Sequence, residues 1–391
     1  MKQTSKSFDI TETLLKNNTD AFLMAGDSHD SDMYYSTHFF ASDSFTYLQT
    51  KNTKEILLVS EMERGRAEIE SRISDIRTTQ DYDYRSKITA RGDPSLAYSD
   101  CLAELLQQEG VRRISVPRFF PLFTAQSLKE EGFSVLPIKS PFNEMRTRKD
   151  DSEIEKIELV QKACEHAMRS AVEIISNAIV QDGVLYHRGY ALTSEIIREA
   201  IDHKLLDFGC EAEDTIVACG KRSSNPHWAG EGVLKAKEPI VIDIFPRSKK
   251  NRYYADMTRT VLKGEPSDEL ADMYDAVLTA QNVALEHIKA GVECREVHNA
   301  VCDVFEVRGY ETIRDDSKVG FIHSTGHGVG LDIHEYPRVG DNDNVLENGN
   351  VITVEPGLYY PDIGGIRIED MVVVTSDGHV NLTKFEKNFV L

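Results

Sequence analysis

HSTGHGVGLDIHEYP, residues 323–337, is the stretch on which the interpretation of this sequence turns. It places three histidines, His323, His327 and His334, among closely spaced glycines. Imidazole supplies metal ligation and proton-sensitive hydrogen bonds near neutral pH. Glycine lets the backbone turn tightly or approach a neighbouring group closely. The combination indicates a segment that presents imidazoles to a binding or catalytic site. The kind of site has to be inferred from residues elsewhere in the chain.

Four carboxylates stand in apolar, strand-like segments elsewhere in the chain, although strand interiors disfavour acidic residues. They are Asp243 in VIDIF (241–245), Asp256 in YYADMTRTV (253–261), Glu355 in VITVE (351–355) and Glu369 in IRIEDMVVV (366–374). Any one of them alone is typical of a strand end that points to water. Burying four together is costly unless protons or metal ions neutralise them. The set therefore favours a metal site.

The four carboxylates fall into two similar pairs. Asp243 and Asp256 are joined by a segment containing the polar stretch SKKN, and Glu355 and Glu369 by one containing YYPDIGG, as in two hairpins. Nearly equal lengths of chain separate Asp243 from Glu355 and Asp256 from Glu369. This layout hints at an internal duplication with the site between its halves.

Four carboxylates and one imidazole suit a pair of divalent ions. Oxygen-rich ligands with one histidine favour manganese, cobalt, iron or zinc over a thiolate site. Two such ions can share a water, lower its pKa and polarise a carbonyl at the same time. The expected chemistry is hydrolysis.

These segments resemble the pita-bread metallopeptidases, and most closely the branch of Xaa-Pro dipeptidase (prolidase) and aminopeptidase P. The matching stretches are NPHW, VIDIF, YYADMTRTV, HSTGHGVGLDIHEYPR, VITVEPGLYY and GGIRIEDMVVV. SDMYYSTHFF (31–40), followed by SFTYL (44–48), is similar to the creatinase-type domain that precedes the catalytic domain in this branch. The resemblance implies an α/β N-terminal creatinase-type domain, residues 1–145, followed by an α+β pita-bread catalytic domain, residues 146–391.

The pattern of apolar residues is compatible with these two domains. In the first, helical patterns over 61–72, 95–109 and 122–131 alternate with strand-like runs at 21–26, 44–48, 55–60, 113–117 and 134–138. This alternation predicts a substantially parallel sheet. The turn-rich stretch PFNEMRTRKDDSE (141–153) marks the boundary. Beyond it, the carboxylate-bearing strands are mixed with helical patterns over 154–175, 187–206, 267–290 and 295–308.

The resemblance also implies a ligand set for two divalent ions per subunit, with Mn²⁺ or Co²⁺ favoured and Zn²⁺ or Fe²⁺ compatible. Asp243 would chelate one ion, and Asp256 and Glu369 would bridge both. His327 and Glu355 would bind the other ion. In the family, the glutamate that matches Glu355 also handles the proton of the attacking water.

Further residues match family positions around the substrate. His227 in NPHW and His334 match histidines that contact the peptide and steady the developing oxyanion. His323 matches a histidine that lines the pocket. Arg367, two residues before Glu369, matches an arginine that hydrogen-bonds the carboxylates of the metal site. Arg338 matches a position near the substrate terminus, and a surface arginine is the alternative for it.

Composition limits the remaining classes. The formal charge of −20 repels phosphate backbones and disfavours nucleic-acid binding. We see no apolar run of membrane-spanning length and no secretory signal, and six scattered cysteines read as reduced thiols, so a cytoplasmic protein is expected. The family commonly forms homodimers, and a small peptide containing an X-Pro bond is the expected partner.

The resemblance implies a dinuclear metal-dependent exopeptidase that hydrolyses X-Pro bonds, first as a dipeptidase, by attack of a metal-bridging hydroxide. Aminopeptidase P is the alternative, and a non-catalytic peptide-binding pita-bread protein is a further one. Methionine aminopeptidase lacks the creatinase-type domain, and creatinase chemistry uses no metal, so both are disfavoured. The connection between Asp243 and Asp256 is longer than the family commonly has, which leaves substrate size open, together with the native metal and the residue before proline.

Overall fold

The computed structural model describes residues 8–41 and 43–391. The internal contacts of the chain divide it into two compact units, Met1–Arg146 and Thr147–Leu391. The domain boundary between residues 145 and 146 stays a prediction about which segments fold independently. Within the described residues, none of the helices combines the length and the apolar composition needed to cross a membrane.

The first unit is built from a six-stranded sheet and short helices. Its strands are β1 (Ala21–Gly26), β2 (Phe45–Thr50), β3 (Glu55–Val59), β4 (Asp75–Thr78), β5 (Arg113–Pro117) and β6 (Ser134–Ile138). Its helices are α1 (Thr11–Lys16), α2 (Ser31–Thr37), α3 (Arg64–Glu70), α4 (Tyr84–Arg91), α5 (Pro94–Gln108), α6 (Leu122–Glu130) and α7 (Pro141–Met145). The sequence pattern missed β4 and several of the short helices.

The sheet of the first unit is mixed, with the order β4-β3-β2-β1-β5-β6. β1 is parallel to β5, β5 to β6 and β3 to β4, whereas β1–β2 and β2–β3 are antiparallel. The prediction of a substantially parallel sheet is wrong for these two antiparallel pairs. Residues 51–54 connect β2 to β3 and are too few for the crossover that parallel neighbours need, so they form a hairpin.

The second unit combines four helices with short strands. The helices are α8 (Asp151–Ser176), α9 (Ser194–Asp207), α10 (Asp268–His287) and α11 (Cys294–Val307). The strands are β7 (Ile179–Gln181), β8 (Val184–His187), β9 (Tyr190–Ala191), β10 (Cys210–Glu211), β11 (Ile216–Cys219), β12 (Ile240–Ile244), β13 (Arg247–Ser248), β14 (Met257–Val261), β15 (Gly326–Gly328), β16 (Glu335–Val339), β17 (Val351–Val354), β18 (Gly357–Tyr360), β19 (Gly364–Arg367), β20 (Asp370–Val374) and β21 (His379–Asn381).

One of the predicted helices in this unit begins too early. The helical pattern over 187–206 predicts a start at residue 187, but His187 ends β8 and α9 starts only at Ser194. Thr193 decides the start, because its side chain accepts a hydrogen bond from the backbone N–H of Ile196 and caps the helix. The patterns over 154–175, 267–290 and 295–308 correspond to α8, α10 and α11.

Two sheets of the second unit carry the carboxylate segments. One has the order β11-β12-β14 and the other β16-β15-β17-β20-β21, while β18 and β19 form a separate hairpin. The expected antiparallel arrangement is found in both, since β12 pairs with β14 and β17 with β20. The longer connection between Asp243 and Asp256 folds back as β13, which pairs with β10. An internal duplication stays a prediction.

A continuous apolar core supports the larger sheet. It includes Met273 and Val277 of α10, Val301 and Phe305 of α11, and Ile352 of β17, all buried in one cluster. Burial of such side chains drives the packing of the two helices against the strands. The strand ends that carry Glu355 and Glu369 are therefore backed by closely packed helices.

Candidate metal centre

The five side chains predicted as metal ligands all lie at strands or strand ends of the second unit. Asp243 lies in β12 opposite Thr258, and Asp256 stands directly before β14. Glu355 directly follows β17, Glu369 directly precedes β20, and His327 is the middle residue of β15. Asp243, Asp256 and Glu369 are 8%, 5% and 2% exposed, so these carboxylates do not point into bulk water as ordinary strand ends do.

The side chains converge. One ligand atom each of Asp256, His327 and Glu369 lies within 4.8 Å of the other two. His327 Nε2 is 3.3 Å from Glu355 Oε1 and 3.6 Å from Asp256 Oδ2. Asp243 is close enough for its charge to raise the pKa of both Asp256 and Glu369. The structure thus brings together residues that are far apart in the chain.

The cluster carries more negative charge than the protein alone compensates. Burial, followed by the charge of Glu369 and Asp243, raises the pKa of Asp256 well above its usual range. Burial, followed by the charge of Glu355, does the same to the pKa of Glu369. Burial also acts to raise the pKa of Glu355, but the hydrogen bond to His327 and the charge of that residue hold it at about 2. A cation would relieve this repulsion.

A divalent cation fits the donor set. Asp243 Oδ1 is buried and has no hydrogen-bond partner, whereas its Oδ2 accepts from Arg367. A buried carboxylate oxygen without a donor is costly and is explained by a ligand at that place. Four carboxylates and one imidazole are the oxygen-rich donors that manganese, cobalt, iron and zinc accept. The residues present therefore fit the metal site that the sequence suggested.

Backbone hydrogen bonds connect the ligand-bearing strands. The N–H of Glu355 donates to Thr325 O at 2.8 Å, and the N–H of Glu369 donates to Thr258 O at 3.1 Å. Two threonine hydroxyls add to this: Thr258 Oγ1 donates to Glu369 Oε2 at 2.8 Å, and Thr353 Oγ1 donates to Glu355 Oε1 at 3.2 Å. These contacts restrict where the two glutamate side chains can lie.

The glycines beside His327 serve close packing of strands rather than a tight turn. Gly326 and Gly328 belong to β15 and have no positive φ. A Cβ on Gly326 would lie 2.0 Å from Thr353 O, and one on Gly328 would lie 2.4 Å from Tyr336 O. Only glycine permits this approach, so the GHG segment brings His327 between two neighbouring strands.

Arg367 lies against the carboxylates, as the sequence suggested. Its guanidinium is buried and donates to Asp243 Oδ2 at 2.7 Å, to Tyr359 Oη at 2.9 Å and to Thr258 Oγ1 at 3.1 Å. Burial raises the pKa of Tyr359 to about 12, so its hydroxyl stays protonated beside this cation. Arg367 orients Asp243 and compensates part of its charge.

The predicted substrate residues lie at different depths. His323 is half-buried, with Nε2 3.0 Å from Tyr359 Oη, and the ring of His334 is 4.4 Å from that of His327. His227 is exposed, and its charge helps to lower the pKa of both His323 and His334, after the larger effect of burial. The rim of the centre is therefore formed by imidazoles.

Arg338 lies on the strand beside His327. It is exposed and is the cross-strand partner of His327 between β16 and β15. In residues 8–41 and 43–391 its guanidinium makes no hydrogen bond or ion pair. The geometry is compatible with contact to a substrate terminus and equally with a surface arginine.

Sequence reasoning missed several residues that contact the candidate ligands or the residues beside them. These include the hydroxyls of Thr258, Thr353 and Tyr359, as well as Gln281 of α10. For the threonines and the tyrosine no signal distinguishes them from ordinary strand residues. For Gln281 a signal exists, because it is an amide within the buried stripe of an otherwise apolar helix face.

The sequence and structure match known proteins over both units. Residues 10–148 match the creatinase/prolidase N-terminal domain, and residues 155–376 match metallopeptidase family M24. An Xaa-Pro dipeptidase of Pyrococcus furiosus is 36% identical over 240 residues, which cover 60% of this chain and 64% of that protein, just under two thirds of its length.

Two solved structures share the fold along nearly the whole chain. An Xaa-Pro dipeptidase from Bacillus anthracis has a TM-score of 0.83 at 26% identity and covers 98% of both chains. An X-Pro aminopeptidase from Thermotoga maritima has a TM-score of 0.78 at 28% identity, covering 98% of this chain and 100% of that one. The predicted creatinase-type domain and pita-bread fold are confirmed. The chain belongs to metallopeptidase family M24, with a creatinase/prolidase N-terminal domain ahead of the M24 region.

Proposed function

We propose that this metallopeptidase hydrolyses X-Pro peptide bonds and acts first of all as an Xaa-Pro dipeptidase. The observation that carries the proposal is the convergence of Asp256, His327 and Glu369, with Glu355 and Asp243 beside them, in an M24 fold. The relatives named as Xaa-Pro dipeptidases support the choice of substrate.

We assign the five ligands to two divalent ions, Mn²⁺ or Co²⁺ first and Zn²⁺ or Fe²⁺ next. Asp243 would hold one ion, Asp256 and Glu369 both, and His327 with Glu355 the other. When bound, such ions polarise a substrate carbonyl and make a water acidic enough to attack it at neutral pH. This assignment rests on the donor chemistry of the cluster and its uncompensated charge.

Glu355 is the residue that we assign to proton transfer. Its carboxylate accepts a proton from the attacking water and returns it to the proline nitrogen, which has no hydrogen of its own and must be protonated to leave. Thr353 Oγ1 donates to its Oε1 at 3.2 Å, so the acceptor is oriented before substrate binds.

The residues around the centre bind and orient the peptide in this proposal. His227 and His334 contact the substrate and donate hydrogen bonds to the carbonyl oxygen as negative charge develops on it. His323, held by Tyr359, lines the pocket, and Arg338 meets the substrate terminus. Arg367 keeps Asp243 in place.

An Xaa-Pro aminopeptidase is the second candidate. The observation in its favour is the match to the X-Pro aminopeptidase from Thermotoga maritima along nearly the full length of both chains. The longer connection between Asp243 and Asp256, which forms β13, leaves the length of the accepted peptide open. A non-catalytic peptide-binding role is the further alternative, and the complete ligand set disfavours it.

We further propose a cytoplasmic homodimer that acts on small peptides and does not bind nucleic acid. The charge of −20 disfavours nucleic-acid binding. Six free cysteines, five of them buried, support a cytoplasmic location. Light scattering coupled to gel filtration measures the assembly, and a monomeric mass would contradict the dimer.

A peptide-length assay tests the function. The metal-free protein is supplied with Mn²⁺ or Co²⁺ and given an X-Pro dipeptide, an X-Pro-Y tripeptide and a Met-Ala peptide. We expect the dipeptide to be cleaved fastest. Preference for the tripeptide would select the aminopeptidase, and cleavage of the Met-Ala peptide alone would refute both. Absence of bound metal and of any cleavage would select the non-catalytic role.

A further inference from the structure

Gln281 joins two ligand-bearing strand ends from behind. It lies in α10, is 0% exposed, and its amide Nε2 donates to Val354 O at 2.9 Å and to Ile368 O at 3.1 Å. These two residues directly precede Glu355 and Glu369 in the chain. Both hydrogens of one amide group are therefore used on the carbonyls next to two candidate metal ligands.

Burying this amide costs free energy of folding. Gln281 is surrounded by the apolar cluster of α10, α11 and the larger sheet, and its Oε1 has no hydrogen-bond partner. A buried amide with an unpaired oxygen costs free energy that an apolar side chain of similar size would not. Unlike an apolar side chain, glutamine provides two hydrogen-bond donors from one nitrogen.

The donors act where the strand ladder stops. β17 and β20 are paired as far as Val354 opposite Asp370. At the next position the two segments bond to different partners, since the N–H of Glu355 donates to Thr325 O and that of Glu369 donates to Thr258 O. Backbone bonding between the segments resumes at a longer contact, from the N–H of Ile368 to Pro356 O at 3.4 Å. Glu355 and Glu369 therefore have no backbone bond to each other, and Gln281 adds a side-chain link between their two segments at this position.

We propose that Gln281 is a positioning residue that sets the spacing of the Glu355 and Glu369 carboxylates and thereby the affinity of the centre for divalent ions. The inference rests on the metal-ligand half of the proposed function and not on the choice of peptide. Groups behind metal ligands commonly change metal affinity 10- to 100-fold when they are replaced. The size of effect expected for Gln281 is in that range.

The test compares two buried glutamines. Gln281→Met keeps the length of the side chain and removes both donors. Gln161→Met is the matched control, because Gln161 is 1% exposed, also has an unpaired Oε1, and donates to the hydroxyl Thr383 Oγ1 rather than to a carbonyl beside a ligand. Mn²⁺ is titrated into each metal-free protein by calorimetry at a temperature well below melting, and the Mn²⁺ electron paramagnetic resonance spectrum reports whether two ions are coupled.

We expect Gln281→Met to weaken Mn²⁺ binding by about 10- to 100-fold and to reduce the signal of coupled ions, while Gln161→Met leaves both unchanged. Equal affinity in all three proteins would overturn the inference, as would equal losses in both variants, which would indicate general disorder of the core. A lower melting temperature with unchanged Mn²⁺ affinity would mean a purely structural role.

A second substitution covers the case in which Gln281→Met does not fold. Gln281→Glu keeps the shape of the side chain but turns acceptors toward the two carbonyls, and a loss of Mn²⁺ affinity at least as large is expected. If neither variant folds, the positioning role is overturned in favour of a requirement for folding. If the wild-type protein itself binds no Mn²⁺, the proposed metal centre fails, which is a different result from equal binding by wild type and variant.

Discussion

Lys149 and Glu335 form a buried ion pair whose disruption has a calculable cost. Lys149 Nζ is 2.9 Å from Glu335 Oε2, and the two side chains are 1% and 3% exposed. Glu335 Oε1 accepts hydrogen bonds from the backbone N–H groups of Leu331 and Asp332, in the loop that leads to His334. Lys149→Met therefore leaves a negative charge buried at the base of this loop.

The expected loss follows from the burial of the pair. Removing one partner of a buried ion pair costs about 3–5 kcal/mol, because the remaining charge cannot reach water. Glu335 keeps its two backbone donors and a further interaction, so we expect about 3 kcal/mol for Lys149→Met, at the lower end of that range. In Lys149→Met/Glu335→Gln the amide oxygen still accepts from the backbone and no charge remains, so most of the loss should be recovered.

Urea denaturation measures this prediction. Trp228 is the only tryptophan and lies in the second unit, so its fluorescence follows the unit that contains the pair. The X-Pro assay reports in parallel whether KM rises as the His334 loop shifts. A loss below about 1 kcal/mol for the single variant would refute the reasoning, because it would match an exposed pair. A double variant no more stable than the single one would refute it as well.

Three further predictions concern the centre and its support. Glu355→Gln should lower kcat by about 10³-fold with an unchanged circular dichroism spectrum, and near-normal turnover would remove Glu355 from the mechanism. Gly326→Ala should lower the free energy of unfolding by about 1–3 kcal/mol and weaken Mn²⁺ binding, because its Cβ would meet Thr353 O at 2.0 Å. Gly378→Ala is its control, since nothing lies within 4 Å there, and equal effects would contradict the packing argument. Burial lowers the pKa of His298 from 6.5 to about 4, so the folded state stays neutral where the unfolded chain binds a proton. The contribution of His298 to the free energy of unfolding is complete above pH 6.5. It falls by about 3 kcal/mol in total as the pH decreases to about 4. His298→Gln should remove that part of the acid sensitivity in denaturation curves at pH 7 and pH 4.5, and identical pH dependence would contradict it.

Local chemistry made much of the protein predictable. Acidic residues inside apolar strands are unusual and can be recognised without knowing their contacts. The sequence alone was therefore enough to select Asp243, Asp256, Glu355 and Glu369. The apolar periodicity likewise predicted α8, α10 and α11, since it depends only on neighbours within a few residues. Where a capping residue or a short connection decides, as at Thr193 or residues 51–54, periodicity alone led to the wrong helix start and the wrong strand direction.

The sequence by itself determined the family, the nature of the chemistry and the candidate ligands, because these follow from residue types in short segments. Only the tertiary structure decided what holds those ligands: Arg367 against Asp243, and Gln281 across the carbonyls of Val354 and Ile368. It also showed that the glycines around His327 serve close strand approach rather than a turn. Such contacts join residues that lie far apart in the chain. Which of these residues form hydrogen bonds depends on how the helices and strands pack, and no local sequence pattern predicts it.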